Sequence, residues 1–237
     1  MKKIRILAAV SVLFAIVLVL SRYPESAGRF TDSTGIEWRV LTEDADGNKL
    51  IITEHAHGVD GRYGETVVYN STNDYTRLGE SDVLRPALNR WFTNTLAPEL
   101  KNNALPAENV DNDVRFEPSG IEWQSENSLE GLTRAGDGIA MPENALFVLS
   151  ISEVNQYFTN FPSNITLKIT NRVLRRPSRD LRGTDVARSW WLRSPSGNPA
   201  YPIAYVSVDT EAFVHHLSAD KPIWFRPALW IRKHTFE

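Results

Sequence analysis

SWWLRSPSGNPAYPIAYVSVD, residues 189–209, sets two adjacent tryptophans beside an arginine, a serine and a proline, just ahead of an alternating segment. In an extended chain, successive side chains face opposite sides. Trp190 and Leu192 then share one face, and Trp191 and Arg193 share the other. That pattern sends one indole into the core and leaves the other beside the guanidinium. The Ser-Pro-Ser-Gly-Asn-Pro run at 194–199 is a turn, and Ala204 to Val208 alternates as the next strand. Ala212 to Leu217 follows, and IWFRPALWI (223–231) closes the chain as a last strand. The C-terminal third is therefore antiparallel β.

Upstream, Trp38 to Leu41 and Lys49 to Ile52 read as a hairpin around Asp44-Ala45-Asp46-Gly47-Asn48, with Gly47 free to take positive φ. The Asp-x-Asp-Gly spacing is read as a turn and not a calcium loop, because the third acidic position and the distant Glu are missing. Residues 58–80 read as a surface loop. Ser81-Asp82 caps a helix running through Val83, Leu84, Ala87, Leu88, Trp91, Phe92 and Leu96 at 3.6-residue spacing, ending before Pro98. Pro86 falls in its first turns, where proline does least harm. Residues 101–140 lack sustained periodicity and read as irregular, with room for one short strand. ALFVLS (145–150) reads as a buried strand, and Ser152-Glu153 starts a second helix through Val154, Tyr157 and Phe158. The six arginines of 172–188 read as an exposed loop. GIEW (35–38, 120–123) and RPAL (85–88, 226–229) each occur twice, but at unequal spacings and in different predicted elements, so they are not a repeat.

The first residues carry a separate signal. MKKIR precedes Ile6 to Leu20, 15 residues without a charge, followed by Ser26-Ala27-Gly28. Two readings fit: a signal peptide cut after Gly28, or an uncleaved anchor over residues 4–22 with Arg5 and Arg22 reaching to the interfaces. Both place the body outside the cytoplasm, secreted or membrane-anchored. The division is thus a leader over 1–28 and one domain over 29–237. Lys2, Lys3 and Arg5 are three of the 26 basic residues, so from Ser21 onward the chain holds 23 basic against 29 acidic ones. An acidic body argues against a nucleic-acid partner, which needs a basic face. With no cysteine there are no disulfides, thiol nucleophiles or thiolate metal sites.

Candidate chemistry is sparse. His55 and His57 would face the same side of an extended segment, as a metal pair requires, but no third ligand is identifiable, and they are read as structural. No nucleophile elbow and no phosphate loop is present. No cofactor and no metal are expected. The tentative ligand-binding set is Trp190, Trp191, Arg193, Ser194, Asn198, Trp224 and Arg226, since indole faces stack on sugars while Arg and Asn bind hydroxyls. The same residues equally describe arginines that pin loops from inside, and that internal role is the preferred one.

The succession GIEWRVL, SDVLRPALNRWF, ALFVLSISEVNQYF, SWWLRSPSG, AYVSVD and WFRPALWI resembles a bacterial family catalogued as domain of unknown function 6273, over roughly residues 35 to 232. Phe225 and Trp224 depart from the Val and Gly usual before its RPALW strand, and Pro86 interrupts its first helix. The resemblance implies a secreted or surface domain with no established activity. It also implies a distant likeness to C-type-lectin-like domains of the formylglycine-generating-enzyme type, whose copper-binding cysteines have no counterpart here. The expected fold is α+β, a twisted antiparallel sheet carrying two helices and long loops behind the leader, with WWLRSP as its central strand. The expected function is a non-catalytic extracytoplasmic binding module for a surface carbohydrate or protein. The alternative is a secreted hydrolase acting on cell-wall or extracellular substrate from a site around His55 and His57.

Overall fold

The computed structural model of the chain describes residues 28–58, 66–108, 134–158, 189–196, 200–207 and 213–236. Residues 1–27 of the leader, the arginine-rich 172–188 segment, Asn198 and the second GIEW lie outside them. Two antiparallel sheets and a few helices form a mixed α+β architecture. β1 (Arg29–Thr31), β2 (Glu37–Glu43) and β3 (Lys49–Thr53) form a meander. The predicted hairpin is present, with Gly47 at φ +85°. Its turn is held by Asp44, whose Oδ1 accepts the N–H groups of Asp46 and Asn48 at 2.9 Å each. Arg134 Nε lies 2.8 Å from Asp44 Oδ2, so the acidic turn already has its cation.

A second turn orders the entry to β2. Asp32 Oδ1 accepts the N–H groups of Thr34 (2.9 Å) and Ile36 (3.0 Å), and Oδ2 accepts the indole N–H of Trp38 at 2.8 Å. One carboxylate thereby satisfies three buried or half-buried donors that would otherwise cost about 1–3 kcal/mol each.

α1 (Leu84–Asn94) packs on this sheet. Its N-cap is Val83, and Ser81 just upstream serves its first donor: Ser81 Oγ accepts Leu84 N–H at 2.9 Å. Asp82 instead turns outward to Ser71 N–H at 2.9 Å. Leu84, Leu88 and Trp91 recur on one face and are fully buried, and Trp91 meets Trp38 edge-on with ring centroids 6.1 Å apart. Pro98 does not merely stop the helix. It opens a second, α2 (Pro98–Asn103), at a position where its missing N–H costs nothing. That helix, and β4 (Ala104–Leu105) after it, occupy the start of a stretch expected to be irregular.

Residues 145–150 are not a strand. α3 (Pro142–Ala145) takes their first residue, and the rest run extended and buried. Phe147 makes a bridge to Ala228, and Leu149 O accepts Arg193 N–H at 3.0 Å. The segment splits its backbone bonds between two sheets, so it joins neither ladder. α4 (Ile151–Phe158) follows. Its cap is Ser150 rather than Ser152: Ser150 Oγ accepts Glu153 N–H at 3.2 Å, and Glu153 Oε2 accepts Ser150 N–H at 2.7 Å, a reciprocal capping box.

The C-terminal third is β, but it does not complete one sheet with WWLRSP at the centre. β5 (Trp190–Pro195), β6 (Ile203–Ser207) and β7 (Phe213–Leu217) form a separate three-stranded sheet with β5 at one end. The closing segment breaks at Arg226-Pro227: residues 223–225 form single bridges, and only β8 (Ala228–Ile231) is a strand. β8 sits between β3 and β4 in the order β1-β2-β3-β8-β4. A parallel bridge, Trp190 to Trp224, and Trp191 N–H to Trp224 O at 3.0 Å tie the small sheet to the large one. Among the described residues no helix is long and apolar enough to cross a membrane.

Candidate functional site

β5 lies between two layers, and this removes the inside–outside alternation read from its sequence. Trp190, Trp191, Arg193 and Ser194 are all buried, at 0–1 % exposure. The indole N–H of Trp191 donates to Val67 O at 2.8 Å, and its ring meets Tyr69 edge-on at 5.8 Å. A guanidinium does lie beside a tryptophan of this strand, that of Arg226. It lies over Trp190, 5.3 Å from the ring centroid, and over Phe158 at 5.7 Å.

Arg193 turns to the extended segment before α4. Its Nη1 donates to Val148 O at 2.8 Å and to Glu153 Oε2 at 2.5 Å, and the guanidinium sits 5.5 Å from the Phe147 ring centroid. Ser194 Oγ accepts Ile151 N–H at 2.9 Å, satisfying another donor at the start of α4. The WWLRSP strand thus holds α4 in place through two consecutive side chains.

Arg226 performs the matching task on the large sheet. Its Nε and Nη2 donate to Thr53 O at 3.0 and 2.5 Å, and Nη2 also reaches Glu54 O at 3.2 Å. Burial pulls this guanidinium down to a pKa of about 10; the charge of Glu54 opposes the shift and that of Arg39 adds to it. Glu54 is itself buried, with Arg39 bidentate on its carboxylate at 2.8 and 2.9 Å and Arg29 Nε at 2.8 Å. Burial raises its pKa, but the hydrogen bond from Arg39 and the charges of Arg39, Arg226 and Arg29 outweigh it, so the group stays below the usual glutamate value. Among the described residues, three guanidiniums converge on this one carboxylate.

Glu54, Glu153 and Arg39 escaped the sequence reading as site residues. Glu153 had a readable signal in the Ser-x-x-Glu spacing, whereas Glu54 gave none, since its partners come from β1, β2 and the break before β8. Arg85 was missed too. It is buried in α1 and donates through Nη1 to Leu146 O at 2.8 Å, so both RPAL arginines reach backbone carbonyls from unlike elements.

The two histidines meet different neighbours. His57 is buried, its ring edge-on to Trp91 at 5.4 Å. His55 Nε2 lies 3.1 Å from Glu37 Oε2, whose side chain is half exposed. Among the described residues no three His, Cys, Asp or Glu side chains gather in a metal-binding group. Of the tentative ligand-binding residues that are described, Trp224 alone keeps part of its surface, packed against the core's edge. Further exposed aromatic surface sits at the small sheet. Tyr201 is 47 % exposed and stacks obliquely on His216 at 5.4 Å, and Tyr205 pairs with the exposed His215 across β6 and β7 at 6.1 Å.

What these elements define is an α+β fold in which Trp190, Trp191, Arg193 and Arg226 are turned inward to lock two sheets and a helix together. The chain belongs to the family described as Domain of unknown function (DUF6273), whose profile matches residues 46–233. The match begins inside the β2–β3 turn, so GIEWRVL at 35–41 precedes it. No curated protein and no solved structure matches the chain.

Proposed function

We propose that the domain is an extracytoplasmic, non-catalytic binding module of a bacterial cell surface, with a carbohydrate as the favoured ligand and a protein as the other outcome. The observation that carries this reading is the division of its aromatic and arginine side chains. Trp190, Trp191, Arg193 and Arg226 are buried with internal partners, which suits a rigid scaffold, while Trp224, Tyr201 and Tyr205 keep ring surface at its edge. A rigid scaffold presenting aromatic faces binds sugar rings at low entropic cost. The likeness to C-type-lectin-like domains belongs to the same proposal; Arg226 stands two residues before the closing strand β8 and not within it. The charge-free run Ile6 to Leu20, behind the basic MKKIR, supports the location.

The test is retention of the exported protein on insoluble cell-wall polysaccharide and on a panel of immobilised glycans. Retention by the wild type is expected, with Trp224→Ala or Tyr201→Ala weakening it at least about tenfold, or 1.4 kcal/mol, at unchanged melting temperature. Binding that survives both substitutions, or no retention on any glycan, overturns the carbohydrate reading.

A further inference from the structure

Gly28 is the last residue of the leader as read from the sequence, and it is also part of the folded sheet. Its carbonyl accepts Val40 N–H at 2.7 Å, adding one rung to the β1–β2 ladder beyond Arg29. Its φ is +82°, and a Cβ built there would stand 2.8 Å from Val40 Cβ, so both the backbone conformation and the close approach require glycine. β1 has only three residues and is the edge of the five-stranded sheet, where each rung matters most to its order.

We propose that the Gly28–Arg29 bond stays intact and that the leader remains attached as a membrane anchor. This rests on the extracytoplasmic reading above and decides between its two forms. Hydrolysis of that bond would carry the Gly28 carbonyl away with the leader and leave Val40 N–H without its acceptor. It would also create an ammonium on Arg29, directly across the ladder from Arg39. The guanidiniums of Arg29 and Arg39 already share the Glu54 carboxylate, which also feels the charge of Arg226. A fourth positive charge there is repelled by its neighbours. Retention has a spatial consequence as well. The eight residues from Ser21 to Gly28 span at most about 30 Å when fully extended. The β1 edge is thus held close to the bilayer surface, and whatever the module binds must be reachable there.

The full chain, expressed in a host that exports it, is tested in three ways. Protease added to intact spheroplasts digests the body if export occurs. A protected body overturns the extracytoplasmic reading and this proposal with it. With the body accessible, intact mass and N-terminal sequencing of the detergent-extracted membrane fraction should find Met1 through Glu237. A chain beginning at Arg29, or anywhere after Leu20, overturns the anchor while leaving export standing. Gly28→Ala supplies the third arm, since alanine suits a −1 cleavage position as well as glycine does. If residue 28 stays in the protein, the variant melts at least about 2–4 °C lower. If the leader is removed after residue 28, the mature variant is identical to wild type, and an unchanged melting temperature overturns the proposal.

Discussion

Replacing Arg226 with lysine tests whether the planar fork, rather than the charge, holds the two sheets together. The guanidinium serves two carbonyls, Thr53 O and Glu54 O, through two nitrogens, and lies between the rings of Trp190 and Phe158. The same junction is closed from the other side by Thr53 N–H donating to Pro227 O at 3.1 Å, so Arg226-Pro227 and Thr53 form a clip between β3 and β8. A lysine ammonium keeps the charge but reaches one carbonyl. The other, buried without a donor, costs about 1–3 kcal/mol, and the lost flat stacking costs about 1 kcal/mol more. Arg226→Lys should therefore destabilise by roughly 2–4 kcal/mol, lowering the melting point by about 5–15 °C for a chain of this size. Arg226→Met abandons both carbonyls and should be worse, by a further ~1–3 kcal/mol. Urea unfolding followed by tryptophan fluorescence, with the slope checked for constancy, measures both. If Lys is within about 0.5 kcal/mol of wild type, the fork is irrelevant. If Met is the more stable of the two, relief from burying a cation outweighs the carbonyl bonds, and the clamp reasoning fails.

Glu54 has a folded pKa below its usual value, so its contribution is fully present above about pH 4.5 and is lost as pH falls through the lowered value. Glu54→Gln should cost about 3–5 kcal/mol at pH 7 and flatten the acid limb of a stability–pH curve; an unaltered acid limb would show that other carboxylates govern it. Ser150→Ala removes half of the α4 capping box and should cost about 1 kcal/mol in thermal melts, with Ser152→Ala nearly neutral; the reverse order would restore Ser152 as the cap. Asp32→Ala leaves Trp38 Nε1 and the Ile36 N–H without acceptors and should cost about 2–4 kcal/mol, visible as a lower urea midpoint.

The parts of this fold legible in the sequence are those whose signal is local. The β2–β3 hairpin announces itself through a turn that needs Gly47, α1 through a 3.6-residue apolar stripe behind Ser81, and β6 and β7 through alternation. The misread parts have partners distant in the chain. ALFVLS has the composition of a buried strand and is buried, but its backbone bonds go to Ala228 on one side and Arg193 on the other. No local pattern distinguishes such a shared segment from a strand within one ladder. IWFRPALWI has the same ambiguity, and its break falls where Pro227 lacks an N–H to continue pairing. Pro98 was legible as a helix end and equally so as a helix start, and only the packing of Leu100 decides between them.

The site is a harder case, because tryptophan and arginine are favoured both in binding surfaces and in buried junctions. Composition could not separate the two for WWLRSP. The separation comes from counting layers. A strand with one face in solvent would have left Trp191 or Trp190 exposed, whereas β5 has Tyr69 and Val67 on one side and Arg226 on the other. Burying arginines in this way is stable only where carboxylates or carbonyls stand ready, and Glu153 and Glu54 meet that need from segments 40 residues before Arg193 and 172 before Arg226. The RPAL pair makes the same point from the opposite direction. Four identical residues form a helical turn at 85–88 and a strand entry at 226–229, yet in both places the arginine reaches a backbone carbonyl across elements. What the two copies share is the long, five-donor side chain beside a proline, and that is a device for closing a junction whatever the backbone around it does. In the proposed binding module, recognition is left to the aromatic side chains that the junctions do not use.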